Sequence, residues 1–437
     1  MLIIWLVFIS QGLVSFLIKE TPWFLENMNI LSWYIVTITS MVFTTWVLFK
    51  YKDFTVILII LAGYFMRILL LYWDLYQSNI MHSGSDTENF YMVALRLYNG
   101  HRWGHIFPFS EYIYSIFRIV GPQRVFVQYV NLLISVTAIL LAHRIIVDFK
   151  VRKNISMLFL ALGMFVPNFM MLNVILLREA IISGFLLMSL YFFVLWFRKN
   201  NMPAIIFAMI CVLIATDFHR GAIAQAIGFA VVAVFYDKKS QAFKFNKSTI
   251  IMMFFVVLSA YVIDDLTGGS AFSVFGEVDG VAGLTDRAGE PARGAAAYAA
   301  FIPTGNPITD FILNTPIRMF YFALSPVPWY WRSVNDIIAF ALSSVFYGAA
   351  YFATFKALKI TNCEHRDIIV MLLIVCMAGI FLYGWGVGNA GTAMRHRDKF
   401  FLQHMLMLSM SINAILIKRR ERKEAKLYET VLYEENI

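Results

Sequence analysis

Residues 54–75 read Phe-Thr-Val-Ile-Leu-Ile-Ile-Leu-Ala-Gly-Tyr-Phe-Met-Arg-Ile-Leu-Leu-Leu-Tyr-Trp-Asp-Leu. As an α-helix rising about 1.5 Å per residue, this stretch is roughly 33 Å long, enough to cross a hydrocarbon core of about 30 Å. Comparable apolar windows occur at 2–18, 30–49, 125–149, 155–176, 180–196, 203–216, 221–236, 249–263, 336–356, 367–387 and 400–417. With 54–75 they predict an all-α polytopic membrane protein of about twelve transmembrane helices. The first window lacks a basic n-region and a small-residue cleavage site, so it reads as a helix and not as a signal peptide. Composition agrees: of 437 residues, 60% are hydrophobic and 14% charged, against about 45–50% and about 25% in soluble domains. One multi-helix membrane domain over 1–417 and a basic tail over 418–437 are expected.

The net charge of +9 could point to nucleic acid, but its distribution argues otherwise. Lysine and arginine cluster between apolar runs: Lys50 and Lys52; Lys150, Arg152 and Lys153; Arg198 and Lys199; Lys238, Lys239, Lys244 and Lys247; Lys356 and Lys359; and Lys418 through Lys426. Twelve spans put all these clusters and both termini on one side, which the positive-inside rule assigns to the cytoplasm. The partner implied is a lipid bilayer, with no nucleic acid. Cys211, Cys363 and Cys376 lie in apolar runs or a short loop without CxxC spacing, so neither a disulfide framework nor a metal site follows.

The opposite side receives two large loop regions, 76–124 and 264–335. In the first, Phe90, Tyr91, Ala94, Leu97 and Tyr98 recur at helical spacing, and Tyr112, Ile116 and Val120 continue the pattern after Pro108. These read as interface helices with aromatics at headgroup depth. Residues 266–309 are glycine-rich and read as a loop, and Pro326 and Pro328 interrupt an amphipathic or re-entrant segment at 317–331. No internal repeat is evident.

Asp86 and Glu88 precede the first interface helix. Either could be a general base for an acceptor hydroxyl; equally, Asp86, Ser85 or Thr87 could cap that helix. Arg178, Arg220 (after His219), Arg395 and Arg397 (flanking His396) sit in short outer turns where the positive-inside rule predicts few cations. A phosphate or diphosphate would balance them, since guanidinium binds its oxygens bidentately. Local pairing, Arg178 with Glu179 or Arg397 with Asp398, is the competing reading. Arg67 lies inside the third span, about 12 Å from its outer end, and calls for a water-filled cavity or a buried partner. Trp329, beside Arg332, could stack on a sugar or belong to an interfacial aromatic belt. Arg293, in the second outer region, joins the candidate substrate-binding set. Walker A, HExxH and GxSxG motifs are missing, so any energy must arrive with the substrate.

Gly84-Ser85-Asp86-Thr87-Glu88 in the first outer loop, followed by an amphipathic stretch, resembles the GT-C superfamily of polytopic glycosyltransferases. Leu177-Arg178-Glu179-Ala180, Ser325-Pro326-Val327-Pro328-Trp329 and Asn389-Ala390-Gly391-Thr392-Ala393-Met394-Arg395-His396-Arg397 resemble bacterial polysaccharide polymerases of the Wzy type, the O-antigen and capsule polymerases. The resemblance implies polymerisation of undecaprenyl-diphosphate-linked oligosaccharide repeat units at the outer face of the bacterial cytoplasmic (inner) membrane. Asp86 would be the base and Glu88 the second choice, with a flippase and a chain-length regulator as further partners. No cofactor is expected; a divalent metal stays open, because only Asp86 and Glu88 form a compact acidic pair. A transferase using a polyprenyl-phosphate sugar, an O-antigen ligase-like enzyme and a lipid-linked oligosaccharide flippase are the alternatives.

Overall fold

The computed structural model describes residues 1–19, 21–102, 104, 106–237, 240, 242–244, 285, 289, 296–298, 301–360 and 363–435. The predicted span 249–263, most of the glycine-rich segment 266–309 and Arg293 lie outside the described residues. The rest is helical: α1 Leu2–Ile18, α2 Pro22–Lys50, α3 Phe54–Tyr76, α4 Ser85–Tyr98, α5 Pro108–Val120, α6 Arg124–Asp148, α7 Lys153–Phe165, α8 Pro167–Leu172, α9 Glu179–Lys199, α10 Met202–Phe218 and α11 Ala224–Phe235. After the undescribed stretch come α12 Pro307–Leu324, α13 Val334–Ala339, α14 Val345–Leu358, α15 Arg366–Gly386, α16 Ala390–Arg397 and α17 Phe401–Glu435. Strand pairing among the described residues is confined to Tyr236–Asp237 against Ala242–Phe243 and a bridge between Ala297 and Asn389.

Seven helices among the described residues are long and apolar enough to cross a membrane: Glu26–Lys50, Phe54–Tyr76, Arg124–Asp148, Glu179–Lys199, Val334–Leu358, Arg366–Gly386 and Ala390–Thr430. The chain is an all-helical, polytopic membrane protein. Shorter apolar helices occupy Leu2–Ile18, Lys153–Phe165, Met202–Phe218 and Arg220–Phe235. The window 155–176, read from sequence as one span, is not one helix. Pro167 has no N–H and would clash with the carbonyl four residues back, so α7 stops at Phe165 and Pro167 starts the six-residue α8. At 13 residues, α7 is about 20 Å long, short of a full crossing. Over the basic tail, α17 runs on as helix to Glu435.

The described residues form two compact units: Met1–His143 with Leu160–Met188 and Asp217–His219, and Arg144–Phe159 with Ser189–Thr216 and Arg220–Ile437. In the first, a buried hydroxyl relay joins three helices. Ser40 on α2 lies 2.8 Å from the Tyr64 hydroxyl on α3, which lies 2.7 Å from that of Tyr129 on α6. The interface pair α4 and α5 appears where the periodicity places it. Each buries one stripe: Phe90, Val93, Ala94 and Leu97 on α4, and Phe109, Ile113, Phe117 and Val120 on α5. Phe90 meets Phe109 edge-on at 5.1 Å, so this ring packs against protein.

In the second unit, α11 crosses α15 closely. A Cβ on Gly228 would lie 2.9 Å from the Val375 Cα, an approach that a glycine in an apolar helix permits. Helices α14 and α17 run in the same direction and are tied by two polar rungs: Tyr351 hydroxyl to His404 Nε2 at 2.8 Å, and Thr354 to Ser411 at 3.0 Å. A wide π-type turn at Phe340–Ser344 joins α13 to α14.

The side assignment has a direct test. The three cysteines are buried, so Asn79→Cys should be the residue labelled by an impermeant thiol reagent in intact cells, while Lys52→Cys and Lys426→Cys should react only after lysis. Labelling of the two lysine positions in intact cells would reverse the topology.

Candidate functional site

In the first unit, the turn before α4 places Asp86 and its neighbours. Gly84 N–H donates to the Thr87 Oγ1 at 3.0 Å, and the Thr87 hydroxyl donates back to the Gly84 carbonyl at 2.8 Å. Thr87 is fully buried, whereas Asp86 is exposed on the first turn. Thr87 thus contributes side-chain contacts at the helix start, and Asp86 lies in the first turn, at the positive end of α4.

Glu88, one turn-position on, has a different environment. Its Oε1 accepts from Arg124 Nη1 at 2.5 Å. Arg124 Nη2 also lies 3.8 Å from Asp74 Oδ2, which accepts from Gln128 Nε2 at 2.8 Å; the second Asp74 oxygen accepts from the Ile80 N–H at 3.2 Å. The Arg124 guanidinium stands 5.9 Å from the Tyr91 ring centroid. Burial pushes the Tyr91 phenol above its ordinary pKa, with Arg124 opposing and Glu88 adding to the shift. Asp74 and Arg124 were not singled out by sequence reasoning. The available signal was an acid at one outer helix end and an arginine at the start of the next apolar run.

The arginines in the outer turns find partners that sequence alone does not suggest. Arg67, with no exposed surface, donates to the carbonyls of Gly63 at 3.1 Å, Met164 at 2.6 Å and Gly163 at 3.0 Å. The latter two belong to the last turn of α7, whose carbonyls have no partner within their own helix. Arg178 Nη1 donates to the Phe218 carbonyl, the last of α10, at 3.0 Å, and its guanidinium faces the Phe90 ring at 5.8 Å. In the second unit, Arg397 donates to the carbonyls of Ala323 and Ser325 at the end of α12, at 3.0 and 2.7 Å. It also reaches the Ser343 and Ser344 hydroxyls at 2.7 and 3.1 Å and covers the Tyr347 ring. Asp398, the neighbour proposed for local pairing, accepts the Tyr347 hydroxyl at 2.6 Å.

Two arginines outside the candidate set do the same. Arg318 donates to the carbonyls of Gly384, Trp385 and Val387 at the end of α15, at 3.0, 3.1 and 3.3 Å. Arg366 donates to Leu358 at the end of α14, at 2.6 Å. A helix C-terminus carries about half a negative charge on its unsatisfied carbonyls. That partial charge offsets part of the charge of Arg67, Arg178 and Arg397, a source of compensation that the sequence does not display.

Lys399 and His396 pack against Tyr383 in the second unit. The 3-10 turn Arg220–Ile223 approaches the ring so closely that a Cβ on Gly221 would lie 2.6 Å from it. His396 packs on the same ring at 5.2 Å, and the Lys399 ammonium sits 5.3 Å from its centroid and 2.7 Å from His396 Nδ1. Since Lys399 donates, His396 accepts at Nδ1 in this arrangement. Asn389 holds the eight-residue α16 that carries these groups: its Oδ1 accepts the Gly391 and Thr392 N–H groups at 2.9 and 3.4 Å. Arg220 is exposed and Arg395 half-buried. Lys399, 1% exposed, was missed because it follows an aspartate in what reads as a simple helix start.

Trp329 is 62% exposed and donates to the Tyr321 hydroxyl at 3.0 Å, so its ring face is accessible while its polar edge is anchored. Arg332 is exposed and pairs loosely with Asp336 at 3.9 Å. His219 is half-buried in the first unit. Among the described residues no group of three His, Cys, Asp or Glu side chains converges as metal ligands. Compared with family models, curated proteins and solved structures, the chain matches none.

Proposed function

We propose that this chain is a membrane glycosyltransferase that polymerises undecaprenyl-diphosphate-linked oligosaccharide repeat units at the outer face of the bacterial cytoplasmic membrane. In this reading about twelve spans have both termini in the cytoplasm and the architecture is GT-C-like. The observation that carries it is the position of Asp86, a solvent-exposed carboxylate on the first turn of α4. A carboxylate so held can take the proton of an acceptor hydroxyl as it attacks the anomeric carbon of the donor. The undecaprenyl diphosphate then leaves with the bonding electrons, as an anion that cations stabilise as its charge develops.

The diphosphate role passes from Arg67, Arg178 and Arg397, which are engaged with helix ends, to Arg220, Arg395, His396 and Lys399. The roles of Asp86 and of this cationic group rest on separate units and are tested separately. Purified protein supplied with lipid-linked repeat units should yield a ladder of polymer lengths. Product from a polyprenyl-phosphate monosaccharide alone would move the assignment to a transferase of that donor class, and lipid movement without a new glycosidic bond would move it to a flippase.

Variants of the arginines separate the two kinds of role. Arg220→Ala and Arg395→Ala should lower polymer yield about ten- to hundredfold at unchanged expression, the scale of one charge-assisted bond. Arg178→Ala and Arg397→Ala should instead lower the thermal midpoint of the purified protein. Loss of folding in the first pair would withdraw their diphosphate role.

A further inference from the structure

The end of α14 and the middle of α17 border a cavity of about 250 Å³ whose walls carry Lys356, Lys359, Lys418, Arg419 and Arg422. Among the described residues no carboxylate lines it. The positive-inside rule accounts for lysine and arginine near membrane boundaries, but it does not gather five of them from two helices around one hollow. The arrangement follows from register. On α17, Ile415, Lys418, Arg419 and Arg422 stand at i, i+3, i+4 and i+7, so they share one face. On the other wall, Lys356, Lys359 and Ile360 follow the same spacing. The rungs Tyr351–His404 and Thr354–Ser411 fix the two helices so that their apolar segments end side by side, at Leu358 and Ile417.

The nearby acids pair with single cations of α17. Glu421 pairs with Lys418 at 3.0 Å but lines a neighbouring cavity with Glu364, and Glu424 pairs with Arg420. The hollow thus combines several cations with two isoleucines, Ile360 and Ile415, at the depth where apolar helix gives way to charge. A phosphodiester with an apolar chain attached meets both surfaces at once.

We propose that this cavity binds the phosphate headgroup of an anionic phospholipid, lodged between α14 and α17. The site stands apart from the glycosyl-transfer reading and would persist if that reading failed. Basic pockets between membrane helices take such headgroups, at roughly a fivefold gain in affinity per well-placed cation.

The test uses full-length protein in phosphatidylcholine nanodiscs with and without phosphatidylglycerol or cardiolipin, with retained lipid read by native mass spectrometry. Wild-type protein should keep anionic lipid in preference to phosphatidylcholine. The triple variant Lys359→Gln, Arg419→Gln, Arg422→Gln should hold it about a hundredfold more weakly, and Arg420→Gln, off this face of α17, should bind as wild type. Should the triple variant fail to fold, Arg419→Gln alone should show about a fivefold loss. Equal retention by wild type and variants overturns the site. Displacement of the lipid by millimolar inorganic pyrophosphate would assign the cavity to a soluble phosphate and overturn the lipid assignment.

Discussion

Asp86→Asn protein should insert, purify and bind lipid-linked substrate normally, yet form polymer about 10²–10⁴ times more slowly, the usual contribution of a general base. Thr87 exchanges hydrogen bonds with Gly84 at the start of α4, and Asp86 is exposed on the first turn. Asparagine is close to isosteric and cannot accept the proton. Glu88→Gln is the companion variant: like Asp86→Asn it removes one carboxylate, but it breaks the ion pair to Arg124. Its expected result is a modest fall in stability with polymer formation reduced less than tenfold, since a half-exposed pair contributes about 0–1 kcal/mol. Near-normal polymer from Asp86→Asn would remove Asp86 as the base, and a collapse confined to Glu88→Gln would transfer the role to Glu88.

Arg67→Leu should have the largest effect on the fold itself. The side chain is fully buried and donates to three backbone carbonyls, two of them from the end of α7. Each bond from a charged donor is worth about 1.5–3 kcal/mol, and loss of the set should cost at least ~3 kcal/mol of a total stability of about 5–15 kcal/mol. The expected readouts are low yield and a depressed thermal midpoint in detergent, with partial recovery in Arg67→Lys, whose single ammonium cannot reproduce the guanidinium fork. A variant as stable as wild type but inactive would return Arg67 to the substrate-binding set. Gly63 belongs to the same contact, since a Cβ there would lie 2.6 Å from that of Met164.

The helical membrane architecture was legible because runs such as 54–75 and 125–149 are apolar over bilayer length, a one-dimensional property. Helix α4 was legible from its spacing as well. The environment of the arginines was not, because the carbonyls that receive Arg67, Arg178 and Arg397 lie 96, 40 and 74 residues away in sequence, and a carbonyl carries no side-chain signature. The cationic positions were visible in the sequence; the partial charges opposing them belong to helix ends, whose meeting with a given arginine is fixed only by the packed chain. The break at Pro167 was readable in principle, but a window averaged for hydropathy passes over a single imino acid. Thr87 was one of three candidate caps, and only geometry distinguishes a buried hydroxyl from an exposed carboxylate on the same turn.

The π-type turn at Phe340–Ser344 bears on how this stretch tolerates change in length. Such a turn accommodates one residue more than an α-helix would over the same rise, so the flanks keep the phase they would have in a regular helix one residue shorter. Deleting a residue here would therefore straighten the backbone while Tyr347, Tyr351 and Thr354 kept their partners. What the shorter helix could not do is present adjacent hydroxyls, Ser343 and Ser344, to one nitrogen of Arg397. The irregularity is thus a local insertion felt at the Arg397 guanidinium and at the Ser325 carbonyl, which accepts from the Ser344 hydroxyl at 2.8 Å, and a homologous chain lacking it should carry a smaller or differently anchored cation at the position of Arg397.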